Sequence, residues 1–134
     1  MRWLALLLFL TGPALAQPSV VPTTQATVPI SMNTATTTRF VTGAAGQSIY
    51  VVHWIIVAGG TATNVTFVTG TGTNCGTGQS SLTGAMTVAA TTQASMIISG
   101  SGTGAVLVVP VGQDLCLTNS AAQPIAGSLA YSRF

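Results

Sequence analysis

The run Gln47-Ser-Ile-Tyr-Val-Val-His-Trp-Ile-Ile-Val-Ala58 constrains the fold of this chain more than any other stretch. It is the longest apolar run beyond residue 16 and consists almost wholly of β-branched and aromatic residues, the composition of a strand. Strict alternation places Ile49, Val51, His53, Ile55 and Val57 on one face and Tyr50, Val52, Trp54, Ile56 and Ala58 on the other. Neither set is a water face, so the strand needs cover on both sides. In a small antiparallel protein one cover is a facing sheet; the other is a loop, a neighbouring subunit or a partner. Tyr50, Trp54 and Ile56 are the residues expected at such an interface, because a sandwich cannot bury them on the same side as Val51 and Ile55.

The beginning of the chain reads as a processing signal rather than as part of the fold. Met1-Arg2 is a short positive end, Trp3 to Leu10 an apolar core, and Ala14-Leu-Ala16 a small-x-small cleavage pattern. A bilayer-spanning helix needs roughly 20 apolar residues, so cleavage is expected and no membrane span in the mature chain. The expected organisation is a signal peptide over 1–16, a Pro-containing extended leader over 17–24 and one domain over 25–134.

Charge is nearly absent. Beyond the leader the chain carries only Arg39, Arg133 and Asp114, with a single His53 and neither Lys nor Glu. Disorder usually accompanies high charge and few β-branched residues; here Val, Ile and Thr are plentiful, so the chain should fold. Two arginines cannot neutralise a phosphate backbone, which argues against nucleic acid as a partner and against a polybasic membrane anchor. Low net charge favours self-association, so a homo-oligomer or larger particle is expected.

Cys75 and Cys116 are the two cysteines. In an exported protein an even pair reads first as a disulfide. Closing a loop of about 40 residues stabilises a fold by roughly 4 kcal/mol in the chain-entropy model. A metal-binding pair would have only His53 as a third ligand and lacks a C-x-x-C spacing. Leu115 and Leu117 share one face of the predicted strand Asp114 to Thr118, which puts Cys116 on the outside, within reach of a crossing loop.

Turn signals recur at intervals of roughly 8–12 residues, and the segments between them alternate. Ala26 to Met32 is an edge strand, since Pro29 cannot donate to an inner ladder. Thr36 to Thr42 follows, with Phe40 inward. After Gly59-Gly60, Ala62 to Thr69 is the expected hairpin partner of the long strand. The Gly/Thr stretch Gly70 to Gln79 is a loop anchored by Cys75. Short strands follow at Ser81 to Leu82, Ala85 to Ala89, Ser95 to Ser99 and Ala105 to Val109, then Asp114 to Thr118 and Ile125 to Phe134. The fold class is therefore all-β, a single antiparallel β-sandwich of seven to nine short strands, with a jelly roll as one arrangement.

No constellation of residues carries a reaction. A serine with His53 and Asp114 is the only hydrolytic set available, and no Gly-x-Ser-x-Gly elbow precedes a helix. His53 in an apolar strand reads as a packed or interface histidine. One carboxylate cannot run glycosidase chemistry. The Gly-rich stretches lack the following Lys and helix of a phosphate loop, so no cofactor is expected. Asp114 after a turn reads as an acceptor for backbone N–H groups.

From Val68 to Phe134 the order of signals is distinctive: Thr-Gly-Thr-Gly-Thr-Asn-Cys75-Gly-Thr-Gly, then Leu82-Thr-Gly-Ala, then Val109-Pro-Val-Gly-Gln-Asp-Leu-Cys116-Leu-Thr, and Ile125-Ala-Gly-Ser-Leu-Ala-Tyr-Ser-Arg-Phe. Over this half of the chain the sequence resembles a family of small all-β, two-cysteine proteins encoded by tailed bacteriophages and prophages. The resemblance implies a virion-associated role without assigned enzymatic activity. The signal peptide expected over 1–16 adds the expectation of export to periplasm, cell surface or medium. Two functions follow as expectations: a non-enzymatic structural or interaction module, or a lectin-like or adhesin-like sandwich in which Trp54 or Tyr50 stacks on a glycan.

Overall fold

The computed structural model describes residues 25–90, 95–100 and 104–134; the expected signal peptide and leader lie outside the described residues. The described residues form ten strands: β1 (Ala26–Met32), β2 (Thr37–Val41), β3 (Ile49–Ala58), β4 (Thr63–Thr71), β5 (Thr77–Ser81), β6 (Met86–Val88), β7 (Ser95–Ser99), β8 (Leu107–Val109), β9 (Asp114–Asn119) and β10 (Ile125–Arg133). A short 3-10 turn, Thr73–Cys75, lies between β4 and β5.

The strands build two antiparallel sheets, a β-sandwich. Sheet A has the order β1-β10-β3-β7, with β8 also on β3; sheet B has the order β2-β9-β4-β5, with β6 also on β4. The number of strands exceeds the seven to nine expected because the last lane of each sheet is broken. β7 pairs with His53–Val57 and β8 with Ile49–Val51 along one side of β3. Likewise β5 and β6 divide one side of β4. Between β5 and β6 the chain stays attached at one point, where the amides of Leu82 and Thr83 donate to the Phe67 carbonyl.

The expected hairpin between the long strand and its successor does not form. β3 pairs with β10, β7 and β8, whereas β4 belongs to sheet B and pairs with β9, β5 and β6. Gly60 adopts φ 99°, as a tight hairpin would require, but the same freedom also serves a corner that carries the chain from one sheet to the other. Both strands have an apolar face to bury, and placing them on opposite sheets buries these faces against each other.

The strict alternation expected along β3 is also corrected. Its register with β10 runs from Ala130↔His53 to Tyr131↔Val51, so Val52 is an extra residue in a β-bulge. The phase of β3 changes there. Ile49 and Val51 before the bulge, and Trp54, Ile56 and Ala58 after it, all point at sheet B and are buried. They meet Val65, Phe67, Leu115 and Leu117 in one core with Ile30, Ile125 and Leu129. Each such large side chain contributes about 1.5–3 kcal/mol on full burial. The Trp54 and Phe67 rings lie 4.8 Å apart across the sheets.

One corner is held by polar bonds instead. Asn119 is buried. Its Oδ1 accepts from Thr63 Oγ1 (2.7 Å) and from the Ala121 amide, while Nδ2 donates to the carbonyls of Thr34 and Gln123. All four capacities of this amide are used, which ties β4 and two connecting loops to the end of β9.

Candidate interaction faces

The two sheets treat their outer faces differently. On sheet B, Cys116 and Val68 point away from the main core, as alternation against the inward Leu115 and Leu117 requires. The 3-10 turn folds back over them, and Cys75 closes a small second cluster with both. Cys75 and Cys116 are disulfide-bonded, with a Cα separation of 6.3 Å across 41 residues of sequence. The disulfide and the outward direction of Cys116 are as the sequence indicated. The turn approaches the sheet so closely that a Cβ at Gly70 would lie 2.9 Å from the Cys75 carbonyl oxygen. Asn74 and Cys75 hold φ of 51° and 59°, left-handed values that a non-glycine residue keeps only when its surroundings enforce them.

Around this lid the remaining charges of sheet B are consumed. Asp114 Oδ2 accepts from Arg39 Nη1 at 3.0 Å and Oδ1 from the Gly43 amide at 2.7 Å, so Asp114 accepts a backbone N–H group as expected for its position after a turn. The Arg39 amide donates to Asn74 Oδ1 at 3.2 Å. Outside the lid, sheet B presents hydroxyls, among them the Thr37–Thr118 pair at 2.8 Å.

Sheet A has no such lid among the described residues. The outer face of β3 carries Tyr50, His53, Ile55 and Val57, opposite in phase to its buried set. Register places Val108 of β8 beside Tyr50 and Ile97 of β7 beside Ile55. On the other flank β10 sets Ala126, Ser128 and Ala130 beside Val57, Ile55 and His53. The result is a ridge of large aliphatic groups next to a low strip of Ala and Ser. Val57 is 37% exposed, Val108 50% and Ile97 57%. No carboxylate or ammonium stands on this face among the described residues. Arg133, at the end of β10, donates from Nη2 to the Thr42 carbonyl at 2.8 Å and lies 5.4 Å from the centre of the Tyr131 ring.

The residues expected to form an interface are therefore divided. Trp54, 3% exposed, and Ile56 lie in the inter-sheet core, because the Val52 bulge turns them inward; Tyr50 alone keeps the outer direction, half-buried with its ring against Phe134 at 5.4 Å. The exposed Ile97 and Val108 were not singled out from sequence, although Ser95-Met-Ile-Ile-Ser99 is apolar at both alternation phases and could have pointed to a two-sided strand. His53 is on the outer face of sheet A and Asp114 on sheet B beneath Arg39, so the hydrolytic set is not assembled. Among the described residues no three His, Cys, Asp or Glu side chains come together as a metal site, and no helix is long and apolar enough to cross a membrane. Compared with models of known protein families, with curated proteins and with solved structures, the chain matches none.

Proposed function

We propose that this protein is a non-enzymatic structural module that packs against further copies of itself, or onto a larger particle, through the outer face of sheet A. The observation that carries this reading is the one-sided distribution of exposed apolar groups. Val57, Ile97 and Val108 stand exposed on that outer face, while exposed Ile98 lies at the core-side flank of the β7 edge and Val111 and Phe134 follow the ends of β8 and β10. A monomer rarely leaves such groups contiguous on one face. The outside of sheet B, by contrast, is closed by its own disulfide-linked turn.

The strand order supports a jelly roll as the finer description. With each broken lane counted as one strand, the chain crosses between the sheets at most steps, and the first and last strands lie side by side in sheet A. That double Greek-key path is common in capsid and lectin domains. The likeness of the Val68–Phe134 region to small phage-encoded β-proteins favours the particle-associated use, and the signal-peptide pattern over 1–16 favours an exported protein. Glycan binding would rest on Tyr50 alone, since Trp54 is enclosed.

The test is light scattering coupled to size exclusion on the chain from Gln17, compared with the variant Val57→Lys/Val108→Lys. The native chain should be an oligomer, and two charges on the outer face should lower its mass. An oligomer of unchanged mass in the variant, or a native monomer at the highest attainable concentration, would end this reading.

A further inference from the structure

Each sheet has open edges, and among the described residues all but one of them are protected. On β1, the bond from the Gly59 amide to the Pro124 carbonyl fixes the phase between β3 and β10. It makes Ser128 exchange its backbone bonds with Ile55, so Pro29, opposite Ser128, turns its ring nitrogen to the open side. The edge of β1 therefore lacks a donor at its middle. On β2 the Arg39 amide is taken by Asn74 Oδ1, and the register shifts between Arg39 and Val41. β5 contains Gly78 at φ 61° and pairs through a register shift. β6 and β8 are three residues each, and Pro110 follows directly on β8.

β7 has none of these devices. Ser95-Met-Ile-Ile-Ser99 contains no Pro, Gly or charge, and its register with β3 is unbroken from His53↔Ser99 to Val57↔Ser95. The Gly100 amide donates to the Val52 carbonyl at 2.9 Å, which sets the phase: Met96 and Ile98 exchange bonds with β3, and the backbone groups of Ser95, Ile97 and Ser99 point to the open side. Natural sheets rarely leave such a strand unprotected unless it is used.

We propose that the open edge of β7 pairs with β7 of a second copy, antiparallel about a two-fold axis at Ile97, so that sheet A continues across the dimer. This rests on the self-association reading above and names its strand and symmetry. The occupant follows from the sequence of the strand, which reads nearly the same in both directions. A two-fold pairs Ile97 with itself, Met96 with Ile98 and Ser95 with Ser99, and satisfies about six backbone hydrogen bonds. Met96 and Ile98 lie on the core-facing side, as their partners Ile56 and Trp54 do. In the dimer each covers the other's exposed flank and joins the two cores. An uncharged strand offers nothing to a partner selected by charge, whereas it fits its own copy at every position.

The experiment separates the edge from the face. In the Val57→Lys/Val108→Lys background the edge is intact, and a dimer is expected. Adding Ile97→Pro, which copies at β7 what Pro29 does at β1, should halve the mass to that of a monomer while the β-type circular dichroism persists. As a second readout, Ile97→Cys in the same background should form a reducible covalent dimer on mild oxidation, because hydrogen-bonded antiparallel partners stand about 5.5 Å apart at Cα. Thr27→Cys on the β1 edge should not. A monomer in the lysine background before any change at residue 97, or no cross-link through Cys at 97, overturns the edge pairing. If the native chain is also oligomeric, the face reading survives that result. A native dimer unaffected by the lysines but split by Ile97→Pro would instead overturn the face and keep the edge.

Discussion

Replacing both Cys75 and Cys116 by Ser should lower stability by about 3 kcal/mol. The disulfide spans 41 residues, for which restriction of the unfolded chain is worth about 4 kcal/mol. Against this stands the left-handed backbone at Cys75, φ 59°, whose cost of about 1 kcal/mol is relieved once the turn is free to leave sheet B. For a domain of this size the net loss corresponds to a fall in Tm of about 15 °C. Calorimetry and far-ultraviolet circular dichroism measure it, and the β-type spectrum should persist at low temperature because the main core does not include the lid. The single variants Cys75→Ser and Cys116→Ser should each resemble the double, since either opens the loop. A change under about 5 °C in Tm would refute the assignment of this cross-link as the anchor of the Gly/Thr segment. So would two free thiols in unfolded, unreduced protein from an oxidising compartment.

Asn119→Ala should cost about 2–4 kcal/mol in denaturant unfolding, because it strips partners from Thr63 and from two carbonyls in a buried corner; a loss below about 1 kcal/mol would count against that network. Arg39→Ala should cost under about 1 kcal/mol, as its side chain is 40% exposed and the pair is solvent-screened. Asp114→Ala should cost more, about 1–3 kcal/mol, by leaving the Gly43 amide unpaired, and equal losses at the two sites would be inconsistent with this ordering. Trp54 Nε1 is buried without a hydrogen-bond partner among the described residues. Trp54→Phe should therefore change stability by less than about 1.5 kcal/mol, while Trp54→Ala should cost about 3–5 kcal/mol, both read from urea midpoints.

Features encoded within a single strand were legible in the sequence. Pro29 marks an edge because a missing donor has the same consequence in any context, and β1 is indeed an edge of sheet A. The alternation of Leu115, Cys116 and Leu117 gave the two faces of β9 without knowledge of its neighbours. Features decided between strands were not legible. The Val52 bulge arises from how β10 matches β3, and nothing in a run of β-branched residues says where a phase change will occur. The passage after Gly59-Gly60 fails for a related reason, since hairpin and inter-sheet corner use the same glycine chemistry. Misplacing Trp54 and Ile56 on the outside followed from the bulge, and with them went two of the three residues expected to form the interface.

The position of β10 has a consequence for biosynthesis. It lies between β1 and β3, with Ala26 opposite Tyr131 and Ile49 opposite Arg133. Until Ile125–Arg133 has left the ribosome, β1 has no neighbour and β3 lacks one whole side. The nascent chain cannot close sheet A in stages from its beginning, and its pairings of long sequence separation favour slow folding. A nascent polypeptide of this topology stays threadable until Ile125–Arg133 emerges, and only then can it become a compact body.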